Sequence, residues 1–414
     1  MWKKIKHSLP LQIALAAALA WLAGTLFGPI ENAEQTTWYS LLMLAKVGYI
    51  GLLKAVVGVM ILLSLLEGIS NIGNVVRLKR LGGATLLFYG FTTTIAITIG
   101  LGAALLMPEW QPLTNAPPVD ESISFINQEA AGAGAIATKL VNMALVNPIE
   151  ALSSGNLLAI VVFTILFGIS LIVALPEKHP LFDTIRGLNQ GINTLVAGII
   201  KLAPFAVFAI VFQFSHQGDN DLFGQLFSFA ALVFALTMVH GVIVLPLIAR
   251  VAGGIGFIAL FRAISAPLAM AFATSSSAAT LPVSMQAAKE ELKVTPSTAS
   301  MVLPLGAVMN MDGTALFEGI AAVFLAQLFG IDLSTTGIVM IFIMAMVSSV
   351  GAPGMPSGSM SGMQLVLLAA GIPLEAIAIL LIIERPLDTF RTAVNVQGDL
   401  IGATVIDKWQ KRFG

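Results

Sequence analysis

The sequence predicts an all-α polytopic membrane protein, with eight transmembrane helices, two re-entrant helical hairpins and an inverted-repeat layout. Three observations predict it. Of 414 residues, 57% are hydrophobic and only 10% charged, whereas soluble proteins carry about 25% charged residues. Apolar runs of about 20 residues, the length a helix needs to cross a bilayer, recur along the whole chain. Finally, two polar Gly/Ser/Pro-rich interruptions occupy corresponding places in the C-terminal half, the pattern of a cavity-lining site in a repeat-built membrane protein.

Composition excludes several classes. A net charge of −1 offers nothing to nucleic acid, and the absence of cysteine removes disulfides, thiolate metal sites and cysteine nucleophiles. The four histidines, His7, His179, His216 and His240, have no metal-ligand spacing. The N-terminal segment superficially resembles a signal peptide. Its apolar stretch is long, however, and Phe27-Gly28-Pro29 is a poor small-residue cleavage site, so a retained first span is expected.

The apolar runs place spans near 10–29, 40–66, 83–107, 131–175 (broken), 190–214 and 225–249. Basic residues set the orientation. Lys3, Lys4 and Lys6 precede the first span, and Arg77, Lys79 and Arg80 follow the second. Lys178 and Arg186 precede the fifth, Arg250 and Arg262 follow the sixth, and Lys408, Lys411 and Arg412 end the chain. The alternate loops 30–39, 108–130, 215–224 and 329–336 contain no lysine or arginine. Both termini are therefore expected to be cytoplasmic.

Beyond residue 256 the alternation fails. The segment 256–288 has the tip TSSSAATLP (274–282), with Arg250 and Arg262 before it and Lys289 and Lys293 after it. It enters and leaves on the cytoplasmic side, as a re-entrant hairpin does. The segment 337–370, with the tip SSVGAPGMPSGSMSG (348–362), has no basic flank and does the same from the opposite side. Irregular backbone at membrane depth is tolerated only where protein buries it or it lines a cavity.

Between the hairpins, a span from about 298 to 328 is broken by Asn310-Met311-Asp312-Gly313-Thr314. Unwound carbonyls and the Asp312 carboxylate form a hard-oxygen site suited to a bare cation; the plainer reading is that Asp312 caps the second half-helix. In the last span Glu384, Asp388, Arg391, Asn395 and Asp399 share one helical face, with Thr392 beside them. An intrahelical ion-pair ladder is the plain reading of the first three. It leaves Asp399 without a partner, which a bound metal ion would supply. The Arg391 guanidinium suits bidentate carboxylate recognition and Asp388 suits an ammonium. Together they describe a site for an amino acid with a carboxylate side chain. Glu318, one turn after Thr314, has no basic neighbour in sequence and is a candidate proton carrier. Lys46, Lys54, Lys139 and Lys201 read as snorkelling residues, and Tyr89, Thr92 and Thr93 as helix-packing glue.

TSSSAATLP (274–282), LPLGAVMNMDGTALFEG (303–319), GAPGMPSG (351–358) and LDTFRTAVNVQGDL (387–400) follow one another in order. In these motifs the chain resembles the glutamate-transporter-like dicarboxylate/amino acid:cation symporter family, closely over 256–405. NPIEALSSGNLLAIVVFTILFG (147–168) matches more loosely. The resemblance implies a homotrimer in the plasma (cell inner) membrane, moving by an elevator mechanism, with co-transported sodium ions and no organic cofactor. It implies a scaffold formed by 1–82 and 131–214, and a transport domain formed by 83–107 and 225–405. By motif position, Arg391 would bind a substrate side-chain carboxylate and Asp388 its amino group. Thr314, Asn395, Thr392 and the hairpin backbones at Ser275, Ser277 and Met355 would complete the pocket. One sodium site would use Asp399 with the carbonyls of Gly306, Asn310 and Asn395. A second would use the carbonyls of Val308, Ser349, Val350 and Ala352 near the Met311 sulfur. A third would use Asp312, Asn310, Tyr89, Thr92 and Thr93, which recasts the packing patch as ligands.

The sequence departs from that family in three places. Ser275 and Thr389 stand where members preferring acidic amino acids usually carry an arginine, and Pro353 replaces a small residue in the second hairpin. Glu318 looks like the acid of the proton-coupled members. The expected function is sodium-driven import of L-aspartate or L-glutamate. A C4-dicarboxylate carrier or a neutral amino acid (serine/threonine) carrier of the same fold is the alternative. Arg391 disfavours a neutral substrate, because an unpaired guanidinium in a closed pocket is costly, and Asp388 disfavours one lacking an ammonium. A channel needs a continuous polar path, and an intramembrane protease needs a nucleophile with a base. Neither pattern is present, so the chain is not expected to be an enzyme.

Overall fold

The apolar runs become helices whose ends are set by proline, asparagine and glycine. The computed structural model describes residues 8–28, 36–70, 81–113, 133–216, 221–351, 354, 357–373 and 376–413. Among these there is no strand. Helix α1, Leu9–Phe27, opens with a proline in its first turn and stops at Gly28, whose φ is 61°. Helices α2, Thr37–Ser70, and α3, Gly83–Leu106, are uninterrupted. The broken run at 131–175 forms α4, Ala133–Ala144, α5, Pro148–Ser154, and α6, Leu157–Ala174. Asn147 caps α5 by accepting from Ile149 N at 2.9 Å, and Asn156 caps α6 by accepting from Ala159 N at 3.1 Å.

The fifth apolar run is two helices, α7, Pro180–Ile200, and α8, Ala203–His216, bent by 42°. Helix α9, Leu222–Val239, continues through π-helical turns at His240–Val244 and Ala249–Gly253. The first hairpin is α10, Phe257–Ala263, α11, Ser265–Thr274, and α12, Ser277–Glu290. The broken span is α13, Pro296–Met309, and α14, Asp312–Leu328. The second hairpin is α15, Thr335–Gly351, and α16, Ser359–Ala369; α17, Ile377–Phe413, ends the described chain.

Among the described residues, five helices are long and apolar enough to cross a membrane, or up to seven if each bent pair counts as one span. The difference from the eight expected has a physical source. Helix α1 is apolar but short, and α17 carries charge along one face of its 37 residues.

Packing follows the apolar faces. Helix α1 lies on α8, and α2 on α6, α7 and α8; α3 lies on α14, and α17 touches α9 and each of α11, α12, α13 and α14. Apart from Asp312 and Glu318, helix α14 is apolar or small as far as Ala326, so it buries on every side: each residue from Asp312 to Ala326 is buried. Small residues bring its neighbours close. A Cβ on Gly100 would meet the Leu316 carbonyl at 2.7 Å, and one on Gly313 would meet the Arg391 carbonyl and Cα at 2.8 and 2.9 Å. Backbone cannot yield there as a flexible side chain would. Gly313→Ala is therefore expected to cost about 1–3 kcal/mol of stability, read as a lowered melting temperature of the purified protein. Gly187→Ala, in open space on α7, is the control expected to keep or slightly raise that temperature.

Candidate functional site

The break between α13 and α14 places Asn310 and Met311 in a buried region bordered by α3, α9 and α17. Helix α14 needs a cap at that break because its first amide groups have no intrahelical partner. The Asp312 side chain does not provide it. Asn395 on α17 does, with its Oδ1 accepting from Gly313 N at 2.8 Å. The capping reading of Asp312 is thus corrected, and its carboxylate is left for other work.

Asp312 is fully buried and draws donors from two other helices. Thr93 Oγ1 donates to its Oδ1 at 2.7 Å and Thr92 Oγ1 to the same atom at 3.2 Å, while His240 Nε2 lies 3.1 Å from Oδ2. The threonine contacts tie α3 to α14 as helix-packing glue does, and they end on the Asp312 carboxylate. Tyr89 does not join them: its hydroxyl donates to the Val302 carbonyl at 3.0 Å. It converges instead with Asp399 on Gly306, where a Cβ would overlap both groups. Asp399, also buried, accepts from Asn310 Nδ2 at 2.8 Å. Asn310 Oδ1 is buried with no hydrogen-bond partner among the described residues. No lysine or arginine among the described residues forms an ion pair with Asp312 or Asp399. Two buried carboxylates and an orphaned amide oxygen, with one histidine nearby, form a region rich in hard oxygen and poor in positive charge. That chemistry suits a small cation.

One turn further along α17 the charges are balanced differently. The ion-pair ladder of the plain reading is formed: Arg391 Nη2 donates to Glu384 Oε1 at 3.0 Å and to Asp388 Oδ1 at 3.3 Å. Ser359 Oγ on α16 accepts from the same nitrogen at 3.1 Å, and the guanidinium stands 3.9 Å over the Phe317 ring. All these contacts use one edge of the fork. Nε and Nη1 are buried without an acceptor among the described residues, an arrangement that leaves donors for a ligand carboxylate. Asp388 Oδ2 accepts from Ser357 N at 3.0 Å and has Arg385 Nη1 at 3.7 Å. Thr314, Thr392 and Asn395 are buried beside this group, and Asn395 Nδ2 lies 3.4 Å from Thr314 Oγ1.

The two hairpins meet at Ser276, Ala278 and Gly354. Ser275 takes φ of 49° to end α11, and Ser276 Oγ caps α12 by accepting from Ala279 N at 3.1 Å. Ser276 Oγ also donates to the Gly354 carbonyl at 2.7 Å, and the same carbonyl accepts from Ala278 N at 3.1 Å. Ser275 and Ser277 are buried at this junction. Ala352, Pro353 and Met355 lie outside the described residues. Of the expected second cation site, Met311 and Ser349 are buried, Val308 and Val350 partly so. Met311 Sδ lies 4.0 Å from Thr314 Oγ1. Glu318 is fully buried, accepts from Ser348 Oγ at 2.8 Å through Oε1, and keeps Oε2 without a partner.

His240, Ser348, Ser357, Ser359 and Gln397 join the site without having been singled out in the sequence. Gln397 Nε2 donates to the Gly241 carbonyl at 2.7 Å, which ties α17 to the π-helical turn carrying His240. A signal for His240 existed, because an ionisable residue inside an apolar span is a site candidate whatever its spacing.

Comparison with known proteins agrees with this geometry. The sodium:dicarboxylate symporter family profile matches residues 9–409. The proton/glutamate-aspartate symporter of Escherichia coli K12 is 32% identical, over 99% of this chain and 95% of its own. The proton/sodium-glutamate symport protein of Geobacillus stearothermophilus is 30% identical, over 99% and 96%. The neutral amino acid transporter B(0) of Oryctolagus cuniculus is 32% identical, over 87% and 72%. A profile spanning nearly the whole chain and relatives matched end to end leave one conclusion: this multi-pass membrane protein belongs to the sodium:dicarboxylate symporter family, a family of transporters rather than enzymes.

Proposed function

We propose that the protein is a cation-coupled symporter that imports an acidic amino acid, L-aspartate or L-glutamate, with sodium as the driving ion. One observation carries the substrate class: Arg391 is fully buried, held through Nη2, and has two further nitrogens without an acceptor. A substrate side-chain carboxylate satisfies them, and the amino group is left to Asp388. A neutral substrate would leave the guanidinium short of acceptors. Thr314, Thr392, Asn395, Ser275, Ser277 and Met355 complete the pocket in this reading. The sodium ions use Asp399, Asp312, Asn310, Asn395, Gly306, Thr92, Thr93 and Tyr89, with Val308, Met311, Ser349, Val350 and Ala352 forming a further site. The names of two relatives, which include protons and sodium with glutamate, support this chemistry.

In the same reading the chain works as a homotrimer in the cell inner membrane with both termini cytoplasmic. Helices α1, α2 and α4–α8 are the scaffold; α3 and α9–α17 slide against it as an elevator. The pairing of α1 with α8 and of α2 with α6 and α7, apart from the cluster around α14, supports this division. The test is uptake of radiolabelled L-aspartate into proteoliposomes with an inward sodium gradient, against choline in place of sodium. Sodium-dependent accumulation is expected. Accumulation of serine or succinate in place of aspartate would overturn the pocket chemistry, and no accumulation of any of the three would overturn the symporter reading.

Glu318 is the proton carrier in this reading, since its second oxygen has no partner among the described residues. Glu318→Gln keeps the Ser348 contact but removes the titrating group. It is expected to flatten the pH profile of aspartate uptake and leave the sodium requirement intact. A profile matching the parent's would dismiss the proton role.

A further inference from the structure

Apart from the central site, the structure contains a cavity of about 610 Å³ between α2 and α7 on one side and the hairpin tips on the other. This is within the usual size of a small-molecule site, roughly 300–1,000 Å³. Its two walls differ in chemistry. The wall formed by α12, α13 and the second hairpin presents Ala278, Pro304, Ala307 and Gly354, with no charged side chain. The wall formed by α2 and α7 is polar, and its charges are Glu67 and Arg186.

These two are close without being tightly paired. Arg186 Nε is 4.0 Å from Glu67 Oε1, and the side chains are 55% and 26% exposed. Arg186 Nη1 is taken by Asp183 at 2.9 Å, and Nη2 makes no hydrogen bond among the described residues. Glu67 Oε2 accepts from Asn189 Nδ2, whose Oδ1 in turn accepts from Ser64 Oγ at 3.0 Å. The next amide on that face of α7, Asn193, has a buried Oδ1 with no partner. The cavity thus offers a carboxylate and an amide oxygen for an ammonium, and a free guanidinium nitrogen for a carboxylate, side by side.

Its position is specific too. Gly354, whose carbonyl holds the two hairpin tips together through Ser276 and Ala278, lines the cavity. The junction of the two hairpins at Gly354 therefore borders this cavity. The polar wall lies at the end of α2 that leads to Arg77, Lys79 and Arg80, the end expected to be cytoplasmic.

We infer that this cavity is a second, weaker amino-acid subsite on the cytoplasmic exit route, where Arg186 takes a carboxylate of the zwitterion and Glu67 with Asn193 takes its ammonium. The inference rests on the symporter reading above. A zwitterion fits better than the other cargo. A bare cation at Glu67 would sit beside the Arg186 guanidinium, and a dicarboxylate without an ammonium would face Glu67 with like charge. Because both side chains are partly exposed, the subsite is weak.

The test measures sidedness in the full-length protein. Aspartate exchange is recorded in right-side-out and inside-out membrane vesicles, with unlabelled aspartate varied on one face at a time. Glu67→Gln is expected to raise the half-saturating aspartate concentration at the cytoplasmic face about fivefold, the effect of one partly exposed charge contact. The outer face and the sodium titration stay as in the parent. Arg186→Gln, on a different helix, gives the same sidedness, and the double variant is no worse than either single one, because one subsite is lost only once. Equal shifts on both faces, no shift on either, or a shift in the sodium titration alone would each overturn the inference. A parent protein without sodium-driven aspartate uptake would strike the functional reading instead, so the two failures are distinguishable.

Discussion

Arg391→Ala is expected to abolish transport of aspartate and glutamate. Truncating one partner of a buried, hydrogen-bonded charge pair costs roughly 2–5 kcal/mol, or about thirty- to several-thousandfold in affinity. Part of that cost falls on the protein itself. Without the guanidinium, Glu384 and Asp388 are left at 1% and 5% exposure with only Arg385, 3.7 Å from Asp388, as compensation. The single variant is therefore expected to melt at a lower temperature as well. The double variant Arg391→Ala/Glu384→Gln separates the two effects. It removes the surplus charge, so stability recovers, but nothing replaces the substrate's partner and uptake stays lost. Proteoliposome uptake and thermal denaturation of the three proteins check both statements. Aspartate uptake equal to the parent's in the stable double variant would remove Arg391 from the substrate site.

Much of this arrangement is legible in sequence because it depends on periodicity and local chemistry. Steps of four, three, four and four along α17 put Glu384, Asp388, Arg391, Asn395 and Asp399 on one face whatever surrounds them. Asn310 to Thr314 interrupts an apolar run with residues that unwind helices, and the chain does break between Met309 and Asp312. The serine cluster at 274–277 marks the first hairpin tip for a similar reason: Ser275 adopts a left-handed conformation and Ser276 caps the next helix.

Other features depend on partners distant in the chain, and no local signal names such a partner. His240 meets Asp312 across 72 residues, Thr93 meets it across 219, and Ser359 meets Arg391 across 32. The identity of the cap on α14 is of this kind. Asp312 is the obvious local candidate, yet tertiary contact gives the role to Asn395, whose own helix begins far downstream. The bend between α7 and α8 has a local signal in Pro204, whereas the π-helical turn after α9 packs against α17. Gly241, for example, sits against Val394 so closely that a Cβ would come within 2.8 Å of it.

Asp399→Asn separates the cation reading from a structural one by the sign of its effects. A structural carboxylate loses stability when neutralised. Asp399 forms no ion pair with a described lysine or arginine, and it accepts its hydrogen bond from the Asn310 amide. Removing an uncompensated buried charge should therefore leave the sodium-free protein as stable as the parent or more so. With sodium present the order should reverse. A ligand at 100 times its Kd stabilises the folded protein by about 2.7 kcal/mol, and a tenfold weaker one by only about 1.4 kcal/mol. A tenfold or greater weakening is the usual consequence of disturbing a metal ion's supporting groups. The variant is thus expected to melt at or above the parent in choline, and to gain roughly half as much or less when sodium is added. Its aspartate uptake should need at least about tenfold more sodium for half-saturation. A variant that is destabilised in choline and keeps the parent's full sodium increment would return Asp399 to a purely structural role. The unpartnered Asn310 oxygen beside it would then need another occupant.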